Sequence, residues 1–208
     1  MEFNERFRGY YPVVVDLETG GFDAQVNPLL EIGCQFLHWQ DDQLNLGEAG
    51  LWQVHPYPGS VIDPASTKVT GIDVHDPQRN ALDERDALRE FFGCVRRGMK
   101  ASGCHRAILV AHNSAFDLGF LLAACRRQDI KRNPFHPFSS IDTASIAAVA
   151  YGHTVLAEAC KRAGIPFDNN LAHSAEYDTE CTARLFCQMV NLWPFEASLV
   201  EQNQGSSG

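Results

Sequence analysis

The sequence predicts an α/β domain built on a mixed sheet of about five strands with helices on its faces. Three observations point there. The run Val13-Val14-Val15 is β-branched and apolar, and it ends abruptly in Asp16-Leu17-Glu18 and a Gly20-Gly21 turn. The stretches Leu29–Trp39 and Leu51–Val54 follow with only short polar connections, as an antiparallel meander requires. Beyond Pro64 helical periodicity alternates with short apolar runs, the pattern of parallel pairing.

Taken in order, residues 1–11 lead into the first strand. Asp41 to Gly47 reads as a turn between the second and third strands. Pro56, Pro58, Gly59 and Pro64 break regular structure and make 56–64 an excursion. Ala65–Val69 is a short helix closed by Gly71. Asp83–Met99 places Leu88, Phe91, Phe92 and Val95 at helical spacing. Ala107–Ala111 is a short buried strand, and Asn113 or Ser114 then caps a helix over Ala115–Arg127. Phe138–Ile141 is a brief strand, with helices at Thr143–Ala150 and Val155–Ala163, the latter stopped by Gly164 and Pro166. Ser174 or a neighbour starts a last helix reaching about Leu192.

The bulk properties narrow the function. A chain of 208 residues can bury a proper core. No apolar run approaches the ~18 residues of a membrane span, and Met1–Arg8 lacks the apolar centre of a secretory signal. Seven cysteines without a C-x-x-C pair fit neither a disulfide framework nor a zinc cluster, and such scattered thiols point to a reducing cytoplasm. A net charge of −9 argues against a nucleic-acid partner at face value. Local clusters of basic residues soften that objection: Arg6 and Arg8; Arg96, Arg97, Lys100 and Arg106; Arg126, Arg127, Lys131 and Arg132.

The acids carry the chemistry. Residues i and i+2 of a strand share a face, so Asp16 and Glu18 project side by side at a strand's carboxyl end. Two adjacent carboxylates repel unless a proton or cation intervenes, and a hard divalent ion prefers oxygen ligands. By itself the D-x-E pair fits a polar strand end entering a loop, where acids are common, more readily than a metal site. Asp117 follows the Ala107–Ala111 strand by about a helical turn and would face the same sheet edge, where ligands of open α/β sheets bind. An acid near a helix start is also favoured by the dipole alone. His173 and Asp178 would lie about 140° apart on one helix, so they share a site only if His173 sits in the preceding loop.

Asp16-x-Glu18, Asn113-x-x-Phe116-Asp117 and His173-x-x-x-x-Asp178 resemble, in order and spacing, the three motifs of the DEDDh (DnaQ-like) 3′-to-5′ exonucleases. Further segments extend the likeness over nearly the whole chain and tie it to a tRNA-trimming branch of that family. They are Arg6–Asp16, Lys100–Cys104, Arg132–Phe138 and Ala172–Glu180. The resemblance implies a ribonuclease H-like fold and one exonuclease domain over 1–195; the polar, Gly/Ser-rich composition of Gln202–Gly208 points to a disordered tail over 196–208. The resemblance also implies that Asp16, Glu18, Asp117 and Asp178 bind two Mg²⁺ (or Mn²⁺) ions and that His173 is the general base, a role histidine suits because imidazole exchanges protons near neutrality. Phe22, Phe116 and Phe138 match base-stacking positions, and Arg6, Arg8, Lys100 and Arg106 match a basic patch that grips RNA.

The expected activity is removal of nucleoside 5′-monophosphates from the 3′ ends of tRNA and other stable RNAs, with single-stranded DNA as a second substrate. The family's homodimer brings one subunit's patch to the other's site. Two alternatives remain open: a proofreading exonuclease acting with a DNA polymerase, and a non-catalytic nucleic-acid-binding protein on the same fold. The chain departs from the family at Val69, where an aromatic residue is frequent, and at Ala65, where glutamate is usual. Those departures bear on discrimination against 3′-terminal cytosine.

Overall fold

The computed structural model describes residues 3–193, so the tail expected at 196–208 lies outside the described residues. Five strands form one sheet: β1 (Tyr11–Thr19), β2 (Leu29–Gln40), β3 (Gln43–Gln53), β4 (Ala107–Ala111) and β5 (Phe135–Asp142). Their spatial order is β3-β2-β1-β4-β5. The pairs β1–β2 and β2–β3 are antiparallel, and β1–β4 and β4–β5 are parallel. This is the expected ribonuclease H-like arrangement. The helices are α1 (Pro64–Thr70), α2 (Glu84–Ala101), α3 (Ser114–Arg127), α4 (Thr143–Tyr151), α5 (Leu156–Ala163) and α6 (Ala175–Leu192).

Alternation along the strands sends successive side chains to different helices. Tyr11 of β1 sits against Gly98 of α2, and Cys34 of β2 faces Cys94 of the same helix. The neighbouring Gly33 faces Ala175 of α6 on the opposite side. Val13, Val14 and Val15 are fully buried between these layers, as are Phe91 of α2 and Leu121 of α3. At roughly 1.5–3 kcal/mol per buried large apolar side chain, this core is the main driving force for the fold.

Three local features differ from the expectations. The β2–β3 turn is only Asp41-Asp42, both at positive φ (53° and 56°), and β3 begins at Gln43 instead of Leu51. Short polar acids tolerate the left-handed region that a two-residue hairpin demands. The lead-in forms two 3₁₀ turns, Phe3–Glu5 and Phe7–Gly9, seated by Phe3 against Tyr11 and Trp39. Arg127 does not belong to a free basic face. Its guanidinium pairs with buried Glu84 at 2.5 Å and lies 3.9 Å from the Tyr57 ring centroid, tying α3 to the start of α2.

Candidate active site

The carboxyl ends of β1, β4 and β5 define one edge of the sheet, and the acids gather there. Asp16 pairs with Gly33 across β1–β2, and Glu18 with Glu31. Parallel pairing of β1 with β4 stops at Val14–Val110, which leaves the next peptide groups of β1 open on that side. Asp117 fills this gap: its Oδ1 accepts the Leu17 N–H at 3.1 Å, pinning α3 to the end of β1.

Asp178 arrives from α6. Gly33 makes this approach possible, because a β-carbon there would lie 2.3 Å from the Ala175 carbonyl oxygen and 2.6 Å from Thr179 Oγ1. With no side chain at 33, carboxylate oxygens of Asp16, Glu18 and Asp178 lie within 4.8 Å of one another. His173 is in the loop before α6, at φ 66°, and its N–H donates to Asp178 Oδ2 at 2.9 Å. Its ring lies near enough to pull the Asp178 carboxyl toward ionisation. Helix α6 starts after His173, so the two residues share the site as the loop placement requires.

All four acids resist ionisation. Burial, then the Asp178 charge, pushes Asp16 up to about 8. Burial, then Asp16, Asp178 and Glu31, pushes Glu18 up to about 9. Asp117 is held well above the ordinary carboxylate range by burial and Asp16. Burial also raises Asp178, against the opposing pull of the His173 amide and of the His173 and His112 rings. Such a cluster is relieved by protons or by cations. Asp178 Oδ1 is buried without a hydrogen-bond partner. An all-oxygen donor set with an orphaned carboxylate oxygen fits a hard divalent cation.

Two supporting residues carry no sequence signal of their own. Asp142, at the end of β5, accepts from the Asn113 N–H (2.9 Å) and Ser114 N–H (3.3 Å) with Oδ1 and from the Ser145 N–H (3.1 Å) with Oδ2. It therefore caps α3 and α4 together. Asn113 holds the N-cap position of α3 at φ 72°, but its side chain makes no cap bond. His112 bridges Thr143 Oγ1 (3.0 Å) and the Thr154 carbonyl (2.6 Å) beside Asp178.

The aromatic candidates divide. Phe22 is 87% exposed and meets Phe116 edge-on at 6.2 Å, so these rings stand together next to the acids in the chain. Phe138, 81% exposed, belongs to another ring group with His136 and Tyr10. The basic candidates lie toward the amino ends of the strands. The Arg8 guanidinium is 5.2 Å from the Tyr10 ring centroid, and Arg106 donates to the Phe135 carbonyl at 3.4 Å. Lys100 is in the last turn of α2, just before β4. Arg6 donates to the Trp193 carbonyl at 3.1 Å.

Comparison with known proteins points to exonucleases. The family model RNase_T, described as "Exonuclease", matches residues 13–186. The ribonuclease T of Shewanella denitrificans is 53% identical over 193 residues, covering 92% of this chain and 85% of that protein. The ribonuclease T of Hahella chejuensis is 53% identical over 189 residues, covering 90% and 87%. Among solved structures, a full-length 3′-exonuclease aligns with a TM-score of 0.67 at 19% identity, covering 87% of this chain and 61% of that one. Escherichia coli exonuclease I in complex with a dT13 oligonucleotide aligns at 0.67 and 16%, covering 93% and 43%. Among the described residues no helix is long and apolar enough to cross a membrane.

Proposed function

This chain belongs to the exonuclease family of its ribonuclease T relatives and is a hydrolytic 3′-to-5′ exoribonuclease; on that premise we propose that it trims the 3′ ends of tRNA and other stable RNAs with Mg²⁺ as its natural cofactor. Mn²⁺ is an alternative ion and single-stranded DNA a second substrate. Residues 1–195 act as the catalytic domain, in the cytoplasm, a compartment in keeping with seven free cysteines.

The observation that carries the reading is the cluster of Asp16, Glu18 and Asp178, with Asp117 held beside it on the Leu17 N–H and one buried oxygen of Asp178 unpartnered. Two divalent cations held there would supply charge on both the attacking and leaving sides of the scissile phosphate. Asp16 and Glu18, rigid on β1, form the floor of the site. Asp117 and Asp178 close it from α3 and α6. His173 accepts the proton of the attacking water, from a loop that can adjust over the substrate. The water oxygen joins phosphorus, the bond from phosphorus to the 3′ oxygen breaks, that oxygen takes up a proton from solvent to become the new 3′-hydroxyl, and a nucleoside 5′-monophosphate leaves. Phe22 and Phe116 stack against the terminal bases, a contact worth ~1–3 kcal/mol per base whatever the sequence.

The basic residues support a homodimer. Five residue steps along the strand separate Tyr11, next to the Arg8 arm, from Asp16, a span of roughly 17 Å. A two-fold partner brings Arg6, Arg8, Lys100 and Arg106 of one subunit toward the acids of the other. Local charge then offsets the net −9 where RNA binds. Sedimentation is expected to give about twice the 23.1 kDa chain mass, and a monomer at micromolar concentration would rule the dimer out.

The test is incubation with a 3′-overhang RNA and Mg²⁺. The wild type is expected to shorten the overhang stepwise. EDTA is expected to stop it, and Asp16→Ala to lower turnover on the order of a thousandfold. Persistence of full-length RNA with the wild type would overturn the reading.

A further inference from the structure

The β5 strand carries an irregularity that the reaction described above does not use. Ala107 of β4 pairs with Phe135, but Leu109 pairs with Ser140. Between these pairs one residue of β4, Ile108, is matched by four of β5, and 136–139 bulge from the ladder. A bulge leaves backbone N–H groups without ladder partners and re-aims side chains. Pro137 has no N–H to satisfy. The next two are taken up by one side chain: Phe138 N–H and Ser139 N–H donate to His136 Nδ1 at 3.4 and 2.9 Å. Accepting at Nδ1 puts the proton of the neutral ring on Nε2.

His136 is itself buried, in contrast to Phe138. Its ring meets Phe138 edge-on, centroids 4.4 Å apart at 84°. On its other side it rests on Tyr10 at 5.6 Å, and Tyr10 in turn contacts His105 at 5.4 Å and carries the Arg8 guanidinium. An exposed phenylalanine on an edge strand has no packing reason to hold one orientation. Here the orientation is imposed from beneath, by a histidine that fixes both the backbone and the ring.

We propose that His136 is the positioning residue for Phe138, locking the 136–139 bulge so that the Phe138 ring is held out as a preformed stacking surface for a base of the bound strand. This inference rests on the assignment of Phe138 as a base-stacking residue. Preorganising the ring spares the ordering cost at binding, so loss of the lock weakens association and leaves the chemical step alone.

The experiment compares Phe138→Ala, His136→Phe and His136→Asn with the wild type. His136→Phe keeps a ring against Tyr10 but removes the acceptor; His136→Asn restores an acceptor near the Nδ1 position. Each is assayed for KM and kcat on a 3′-overhang RNA. Each is also titrated against single-stranded RNA containing 2-aminopurine, with Ca²⁺ in place of Mg²⁺, and melted thermally. Phe138→Ala is expected to raise KM about tenfold, with kcat within about twofold and weaker fluorescence quenching. His136→Phe is expected to reproduce that pattern, and to add little when combined with Phe138→Ala. His136→Asn is expected to recover most of the wild-type KM and quenching. Wild-type KM and quenching in a folded His136→Phe, while Phe138→Ala is impaired, would overturn the proposal. Failure of His136→Asn to recover any binding while its melting matches wild type would also count against it. No effect of Phe138→Ala would remove the stacking assignment and this inference together. Inactivity of the wild type is the separate failure of the nuclease reading, and the quenching measurement still decides on His136.

Discussion

Gly33 of β2 lies directly beneath Ala175 of α6, so close that a β-carbon at 33 would sit 2.3 Å from the Ala175 carbonyl oxygen. This contact sets the height of α6 above the sheet, and with it the distance of Asp178 from Asp16. Gly33→Ala is therefore expected to lift the start of α6. Overpacking of this kind costs roughly 1–3 kcal/mol. Activity should fall further than stability does, with a higher Mg²⁺ concentration needed for half-maximal rate. Metal titration of the rate, alongside thermal melting, separates the two effects.

The raised carboxyls make the metal-free protein sensitive to pH. A carboxyl whose folded pKa lies above its unfolded value binds more protons when folded, so it opposes folding once the pH passes the unfolded value. With Asp16 at about 8 and Glu18 at about 9, metal-free stability should decline as pH rises from about 4 through 9. Mg²⁺ should stabilise more at pH 8 than at pH 5, because it competes with fewer protons. Melting curves across this range with EDTA or Mg²⁺ check both statements. Asp16→Asn should raise the metal-free melting temperature by a few degrees while abolishing turnover.

Asp142 is expected to act on Asp117 from a distance. It caps α3 and α4 at once through the Asn113, Ser114 and Ser145 amides. Loss of one cap costs about 1 kcal/mol. Asp142→Ala should therefore lose about 2 kcal/mol and loosen the first turn of α3, where Asp117 sits. Chemical denaturation gives the stability change. A fall in kcat at saturating Mg²⁺ reports the misplaced carboxylate.

Val69 is 56% exposed on α1, and Ser66 of that helix bonds the Thr19 carbonyl at the end of β1. An aromatic ring at 69 would add a stacking surface beside the site. Val69→Phe is expected to lower KM several-fold, in keeping with ~1–3 kcal/mol per stacked base, and to sharpen discrimination among 3′-terminal bases. KM values for RNAs differing only in the last nucleotide test this.

Much of the fold was legible because local signals agreed with tertiary structure. Ala107–Ala111 is all apolar and all buried, and the strand falls where the sequence places it. Helix α6 begins after Ser174, its N-cap, as expected. Most of β3 was not legible, since Gln43–Gly50 mixes polar residues with two glycines, and its pairing with β2 overrides that composition. Strand alternation and the loop before α6 made it legible that the acids face one sheet edge; their grouping into one set came from the family resemblance. Gly33, Asp142 and His112 act through contacts between segments far apart in the chain, and no local pattern marks them. For Gly33 the one clue was a glycine inside an apolar strand, a sign of close backbone approach.

Asp16, Glu18, Asp117 and Asp178 are expected to form one divalent-ion site whose carboxyls hold protons until metal displaces them. The decisive measurement is calorimetric titration with Mn²⁺ and with Mg²⁺ at pH 7, repeated in buffers of different ionisation enthalpy. The expected result is saturable binding of about two ions per chain with net proton release, lost in Asp16→Asn and in Asp178→Asn. Absence of saturable binding, or binding in those variants equal to that of the wild type, would contradict the assignment.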